Sequence, residues 1–238
     1  MIQKYEAQMA SSRRHFEHHP AVRKVCHDEI DSKTLEAFLI YFSALGVGMT
    51  EPVGRWIRRA GERCGTLGLS GLAKALSAHA QHEEGHHRLM EADTNHLVRL
   101  WNERHEPKLD AGELLAFDHT AGVTAYRGLH EDVIKGSSPY GQLAIEYEIE
   151  MLSVTYGPQL IDRCSRIIGK DVLLGLSFLK DHVELDVGHT KFNRLQMSKL
   201  LEEQPEFLYG LVTAGPKALS AYATFLDDCL TVARNTCN

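Results

Sequence analysis

The stretch His182-Val183-Glu184-Leu185-Asp186-Val187-Gly188-His189 decides how the rest of this chain is read. In a helix that advances about 100° per residue, Asp186 sits roughly 40° ahead of His182, and His189 roughly 20° behind it. One narrow face therefore carries two imidazoles and a carboxylate. Histidine nitrogens suit Fe, Mn or Zn, and a carboxylate adds charge and can bridge to a second ion. A polar helix face with two incidental histidines is the plain alternative. The neighbours Leu176, Phe178, Leu179, Val183, Leu185 and Val187 argue against it, because they predict that much of the helix is buried.

Outward from this motif, the 238 residues are 43% hydrophobic, enough for one sizeable core and a single domain spanning 1-238. The net charge of −6 and the pI of about 6.2 argue against a nucleic-acid partner, which would call for a basic patch. Arg55, Arg58, Arg59 and Arg63 read as a solvated helix face. No run approaches the roughly 18 uninterrupted apolar residues of a membrane span, and Met1 to Arg14 lacks the apolar core of a secretion signal. A soluble cytoplasmic protein with no membrane partner is the expectation. The five cysteines are scattered singly, which indicates neither a disulfide framework nor a thiolate zinc site. The fourteen histidines are many for this length, and their positions matter more than their number.

Helical spacing runs nearly end to end, with no alternating stretch that requires a sheet. A first helix ends near His19-Pro20, and a second piece covers Ala21 to Glu29. Asp31-Ser32 caps a helix that starts near Lys33, buries Leu35, Phe38, Leu39 and Phe42, and continues or kinks toward Arg63. Gly65 to Gly71 is a break. A long helix follows from about Leu72 to Glu103, then another from Asp110 to about Lys135. Gly136-Ser137-Ser138-Pro139 is a turn with a serine cap, opening a helix to Ile168. Gly169 stops it, Asp171 opens the next helix and Pro205 the last. The expectation is an all-α bundle of about seven helices, a class that builds metal sites in its core from facing helices.

Three ligands on one helix leave a metal site incomplete, and partners are present elsewhere. His79, Glu83 and His86 repeat the four-then-three spacing with Glu in place of Asp. Glu83 and His86 also form an E-x-x-H pair of the kind that faces inward in carboxylate-bridged bundles. Glu84 and His87 offer the same spacing about 100° further round the helix. Leu89, Met90 and Leu72 to Leu76 favour the Glu83-His86 face. The segment Ile145 to Leu152 holds Glu146, Glu148 and Glu150 among apolar residues, and a glutamate on the core face costs several kcal/mol unless protonated or ligated. Glu150 is the candidate, Glu146 its reserve, and Tyr147, on the same face as Glu150, the candidate catalytic side chain.

Taken in order, His79 to Met90, Tyr147-x-x-Glu150 and His182-x-x-x-Asp186-x-x-His189 resemble the heme-oxygenase-like di-iron oxidases. Phe16 to Pro20 and Leu35 to Phe42 resemble the opening helices of that superfamily, so the likeness covers most of the chain. It implies a TenA-like or PqqC-like helical fold, a homodimer, and two Fe(II) ions held by three histidines and three carboxylates. Carried over by motif, the ligands are Glu83, His86, Glu150, His182, Asp186 and His189. Many members place the first carboxylate two turns before its histidine, a position held here by His79, so His79 or Glu51 is an alternative ligand. Two bridged ferrous ions can each give an electron to O₂, the co-substrate, while the protein fixes geometry and leaves coordination positions open. Substrates of such enzymes are small amines, amino acids or fatty acids.

The same fold also implies metal-free rivals. Thiaminase-like TenA hydrolases use a cysteine nucleophile and a glutamate, and Cys164 is the one cysteine in the middle of the chain. A PqqC-like oxidase and heme binding through one histidine are further readings of that fold. A non-catalytic helical ligand-binding module is the reading from another class, and it leaves six ligand-type residues unexplained. His15, His18 and His19 read as surface histidines, and Tyr126, Tyr140, Tyr156, Trp56 and Trp101 as core aromatics.

Overall fold

A computed structural model describes residues 1–238, all of them helical or in short connections. Eleven α-helices follow in order: α1 (Ile2–Glu17), α2 (Pro20–Cys26), α3 (Ser32–Thr50), α4 (Val53–Thr66), α5 (Ser70–His82), α6 (His87–Arg104), α7 (Ala111–Leu115), α8 (Ala121–Lys135), α9 (Gln142–Ile167), α10 (Ser177–Glu203) and α11 (Leu208–Cys237). Single 3-10 turns at Pro139–Gly141, Lys170–Gly175 and Pro205–Phe207 lead into α9, α10 and α11. The all-α expectation holds, with more and shorter helices than the sequence suggested.

Local chemistry explains most boundaries. The Asp31 carboxylate accepts from the Thr34 N–H at 2.8 Å and caps α3. Pro20 occupies the first turn of α2, where its missing N–H costs nothing. Two long helices expected from periodicity are split, and a third takes its kinked alternative. The stretch beyond Lys33 breaks at Glu51-Pro52, separating α3 from α4. Asp110 caps a one-turn α7, accepting from Glu113 N–H at 2.9 Å, and α8 starts afresh. The helix expected over Leu72 to Glu103 is interrupted between His82 and His87, where Gly85 adopts a φ of +94°, a conformation open mainly to glycine. The expected serine cap before α9 is also absent: Ser138 precedes the 3-10 turn without a side-chain capping bond.

The core is organised around α3, whose Leu35, Phe38, Leu39 and Ile40 are fully buried. It packs between α6 and α11, while α11 also contacts α1, α8 and α9. Ser32–Thr66 is long and apolar enough by composition to cross a membrane, but most of it is buried in this core. Gly122 lets α8 approach α11, since a Cβ there would lie 2.3 Å from the Phe225 nitrogen. The pairs α9·α10 and α4·α5 pack along their lengths, and α10 reaches α5 and α6 as well. Those contacts bring the His182 motif to the His79–His86 segment.

The start of α10 is fixed from another helix. Asp93 of α6 is buried and accepts from Ser177 N–H at 2.9 Å, Ser177 Oγ at 2.7 Å and Phe178 N–H at 2.9 Å. A carboxylate at a helix N-terminus satisfies otherwise orphaned donors and complements the helix dipole. His182 stands one turn beyond this anchor.

Candidate metal centre

Two groups of donor atoms form at the meeting of α5, α6, α9 and α10. In one, His79, Glu83, Glu150 and His189 place ligand atoms within 4.8 Å of one another; in the other, Glu83, His86 and His182 do the same. Glu83 belongs to both. Its Oε1 lies 3.0 Å from His189 Nδ1 and 3.9 Å from His79 Nε2, and its Oε2 lies 3.3 Å from His86 Nδ1. His79 Nε2 also stands 3.4 Å from Glu150 Oε1, and Asp186 Oδ1 lies 3.3 Å from His189 Nδ1.

Several of these donor atoms have a structural reason to face inward. His182 donates Nδ1–H to the Phe178 carbonyl at 2.9 Å, which fixes the tautomer and leaves the Nε2 lone pair free. Its ring also packs on Phe178, with centroids 3.9 Å apart. Asn193 donates to both Glu150 oxygens, at 3.0 and 2.8 Å, and holds that carboxylate toward His79. The break around Gly85 makes Glu83 the C-cap of α5 and His86 the N-cap of α6. The pair therefore arises at a helix break rather than on one continuous helical face as expected.

The sequence candidates separate cleanly in space. Glu83, His86, Glu150, His182, Asp186 and His189 come together, joined by His79. Glu84 is exposed and ion-paired with Arg58, Glu51 is exposed at the end of α3, and His87 lies outside both groups. Tyr147 is a correction: its hydroxyl donates to Glu6 Oε1 at 2.8 Å, and the side chain does not line the cavity at the cluster. At position 147 the side chain turns toward α1, whereas Glu146, Glu150 and Ser153 share the cavity-facing side of α9. Leu185 and Val187, expected to bury α10, are instead exposed, so only the inner face of that helix is covered.

A cavity of about 80 Å³ adjoins the cluster, lined on one side by Glu83, His86, Glu146, Glu150, His182 and Asp186. At roughly 10–15 Å³ per water-sized position, it has room for several small-molecule atoms. Met49, Met90, Phe178 and Phe225 form an apolar wall. Glu146, the reserve candidate, is thus a cavity residue, contacted by the Gln142 amide, which in turn meets His130.

The buried ionisable groups of the cluster shift one another's titration. Burial pushes Glu146 up to about 8, aided by the nearby Glu83 charge. Burial likewise raises Glu150 well above the carboxylate range, with Glu146 and Asp186 adding to the effect. Burial drives His79 down to about 4. Burial also opposes ionisation of Glu83, but His86, His189 and His79 outweigh it and hold that carboxyl below its usual range. Five of the eleven buried side-chain atoms without a hydrogen-bond partner are His79 Nε2, Glu83 Oε1, His86 Nδ1, Asp186 Oδ1 and His189 Nδ1. Orphaned buried polar atoms are rare because each costs about 1–3 kcal/mol. Five in one place, all of ligand type, fit a bound divalent cation.

Two contributors escaped the sequence reading. Asn193 continues the α10 pattern one further turn beyond His189, so extending the four-three spacing would have found it. Asp93 had no such signal, because its partners lie 84 and 85 residues away.

The helices and their packing define a heme oxygenase-like fold. A crystal structure of a domain of unknown function with a heme oxygenase-like fold, from Shewanella denitrificans OS217, matches 98% of this chain and 94% of its own, with a TM-score of 0.75 and 15% identity. At that identity the likeness is one of fold. No family model matches the sequence, and no curated protein matches it.

Proposed function

We propose that this protein is a metal-dependent, O₂-activating oxidase or oxygenase that holds two iron ions and acts on a small amine, amino-acid or acyl substrate. The observation that carries this reading is Glu83, whose two oxygens face separate donor groups, so that one carboxylate could serve both. His79, Glu150 and His189 would complete one position, and His86 and His182 the other, with Asp186 beside His189. Iron in such a site supplies electrons for O₂ reduction.

The remaining chemistry belongs to the chain. Asn193 orients Glu150, and the Phe178 carbonyl orients His182, so neither ligand needs to reorganise on loading. Glu146, held neutral by burial up to about pH 8, keeps a proton at the cavity. Gln142 engages its Oε1, which leaves Oε2 to carry that proton. Met90, Phe178 and Phe225 add apolar surface to the same cavity, which disfavours water there. A thiaminase-like mechanism finds less support: Cys164 is fully buried, its thiol pushed up to about 12 by burial, and it does not line this cavity.

The test is anaerobic titration with Fe(II), followed by metal counting and exposure to air. About two irons per chain and a new visible absorption on oxidation are expected, with His182→Ala losing at least one iron. Protein from metal-supplemented medium that holds no stoichiometric metal, together with an unaltered His182→Ala variant, would sink the reading.

A further inference from the structure

A second cavity of about 60 Å³ is enclosed by residues of α1, α2, α3, α9, α10 and α11, next to the metal-site cavity. Its walls are apolar, built chiefly by Phe16, Val25, Phe38, Phe42, Leu160 and Leu226. The two cavities share Ser153 of α9 and Tyr222 of α11, which border both. Protein interiors are close-packed, so a void of this size forfeits many van der Waals contacts. A water needs two to four polar partners, which such walls do not offer, and apolar cavities stay dry and take apolar ligands.

We propose that this cavity is the tail subsite of the substrate, and that the substrate is a primary amine with an unbranched or aryl tail. At roughly 10–15 Å³ per water-sized position, 60 Å³ accommodates about five heavy atoms, a pentyl chain or one aromatic ring. The amine end follows from the other cavity. Glu83, Glu146, Glu150 and Asp186 line it with no Lys or Arg among them, so a carboxylate head would meet like charge, whereas an amine is a neutral Lewis base that fits an open metal position. Ser153 stands one turn beyond Glu150 on α9, so a molecule that passes it has its head at the cluster and its tail among the aromatics. The placement of the head rests on the metal-centre reading; the apolar subsite stands on the second cavity alone.

Calorimetric titration of the iron-loaded full chain, under anaerobic conditions, with n-alkylamines from ethylamine to decylamine tests this directly. Affinity should rise about fourfold per methylene while the tail fills the subsite, and then level off. Val25→Phe, which fills the far wall, and Ser153→Leu, which narrows the junction, should move the levelling point to shorter chains. A flat profile across the series in the unaltered protein overturns the proposal, whether or not either variant folds. So does an unchanged profile in both variants when their thermal melting shows them to be folded. Repeating the series on metal-free protein separates the two readings. Chain-length dependence without stoichiometric iron binding retains the subsite and removes the metal centre, whereas two bound irons with a flat profile do the reverse.

Discussion

Helix α10 and the junction between α5 and α6 carry the same four-then-three spacing of ligand-type residues, and they deliver them in opposite ways. On α10, His182, Asp186 and His189 share a face because the helix is unbroken. At the junction, the chain stops after His82, turns through Gly85 at φ +94° and restarts at His87. On a continuous helix, His79, Glu83 and His86 would point along one narrow stripe. The break instead places Glu83 between them, with Oε1 toward His189 and Oε2 toward His86. Periodicity supplies a row of ligand-type side chains, and a local interruption of it sets one carboxylate between two groups of them.

The largest expected effect comes from Glu83→Ala. Because Glu83 serves both groups, this substitution should reduce iron from about two per chain to less than one, whereas Asp186→Ala should spare the His86–His182 position. Metal counting after anaerobic loading decides between them, and equal losses would break the contrast. Asn193→Ala should lower metal affinity about 10–100-fold, the usual range for losing a group that orients a ligand. Competition with a chelator measures it. An unchanged affinity would mean that Glu150 needs no help from α10.

Two glycines test the backbone side of the comparison. Gly85→Ala places a side chain at positive φ and should cost about 1–2 kcal/mol of stability in urea unfolding. Gly188→Ala, on the exposed face of α10 with open space around its Cβ, should instead stabilise by about 0.5–1 kcal/mol. The same sign in both would show that the break is not held by Gly85.

An effect that is negligible at neutral pH and grows as pH falls should come from His130, which is fully buried behind Glu146 and which burial drives down to about 3. The unfolded chain binds this proton below about pH 6.5 and the folded chain does not. Stability from this group is therefore complete above that pH and is lost as pH falls toward 3, with a slope approaching ~1.4 kcal/mol per pH unit. His130→Gln should flatten that part of the pH profile of urea unfolding. A profile as steep as that of the unaltered protein would assign the acid sensitivity elsewhere.

The legible part of the fold was its class. Helical periodicity with no sheet-like alternation determined an all-α chain, and Asp31 and Pro20 marked real helix starts because capping and proline geometry act within a few residues. The splits at Gly85 and Ala116 were harder to read than the kink at Pro52, since helix propensity varies by less than about 1 kcal/mol per ordinary residue and tertiary packing overrides it. Within the site, the α10 triad was legible because all its geometry lies in one helix. Choosing Glu83 over Glu84 could be argued from neighbouring leucines, but the chain break that sets Glu83 between two donor groups could not. Tyr147 was misjudged because one face of α9 was treated as broader than it is, when 147 meets α1 and 146 meets the cavity.

By itself, then, the sequence determined which residues could act as ligands and which helix would present three of them, because side-chain chemistry and helical period are local. Tertiary structure alone decided that His79 joins the cluster, that Asp93 anchors α10, and that an apolar cavity adjoins the one at the cluster. Those outcomes depend on contacts between helices far apart in the chain, which no local preference encodes.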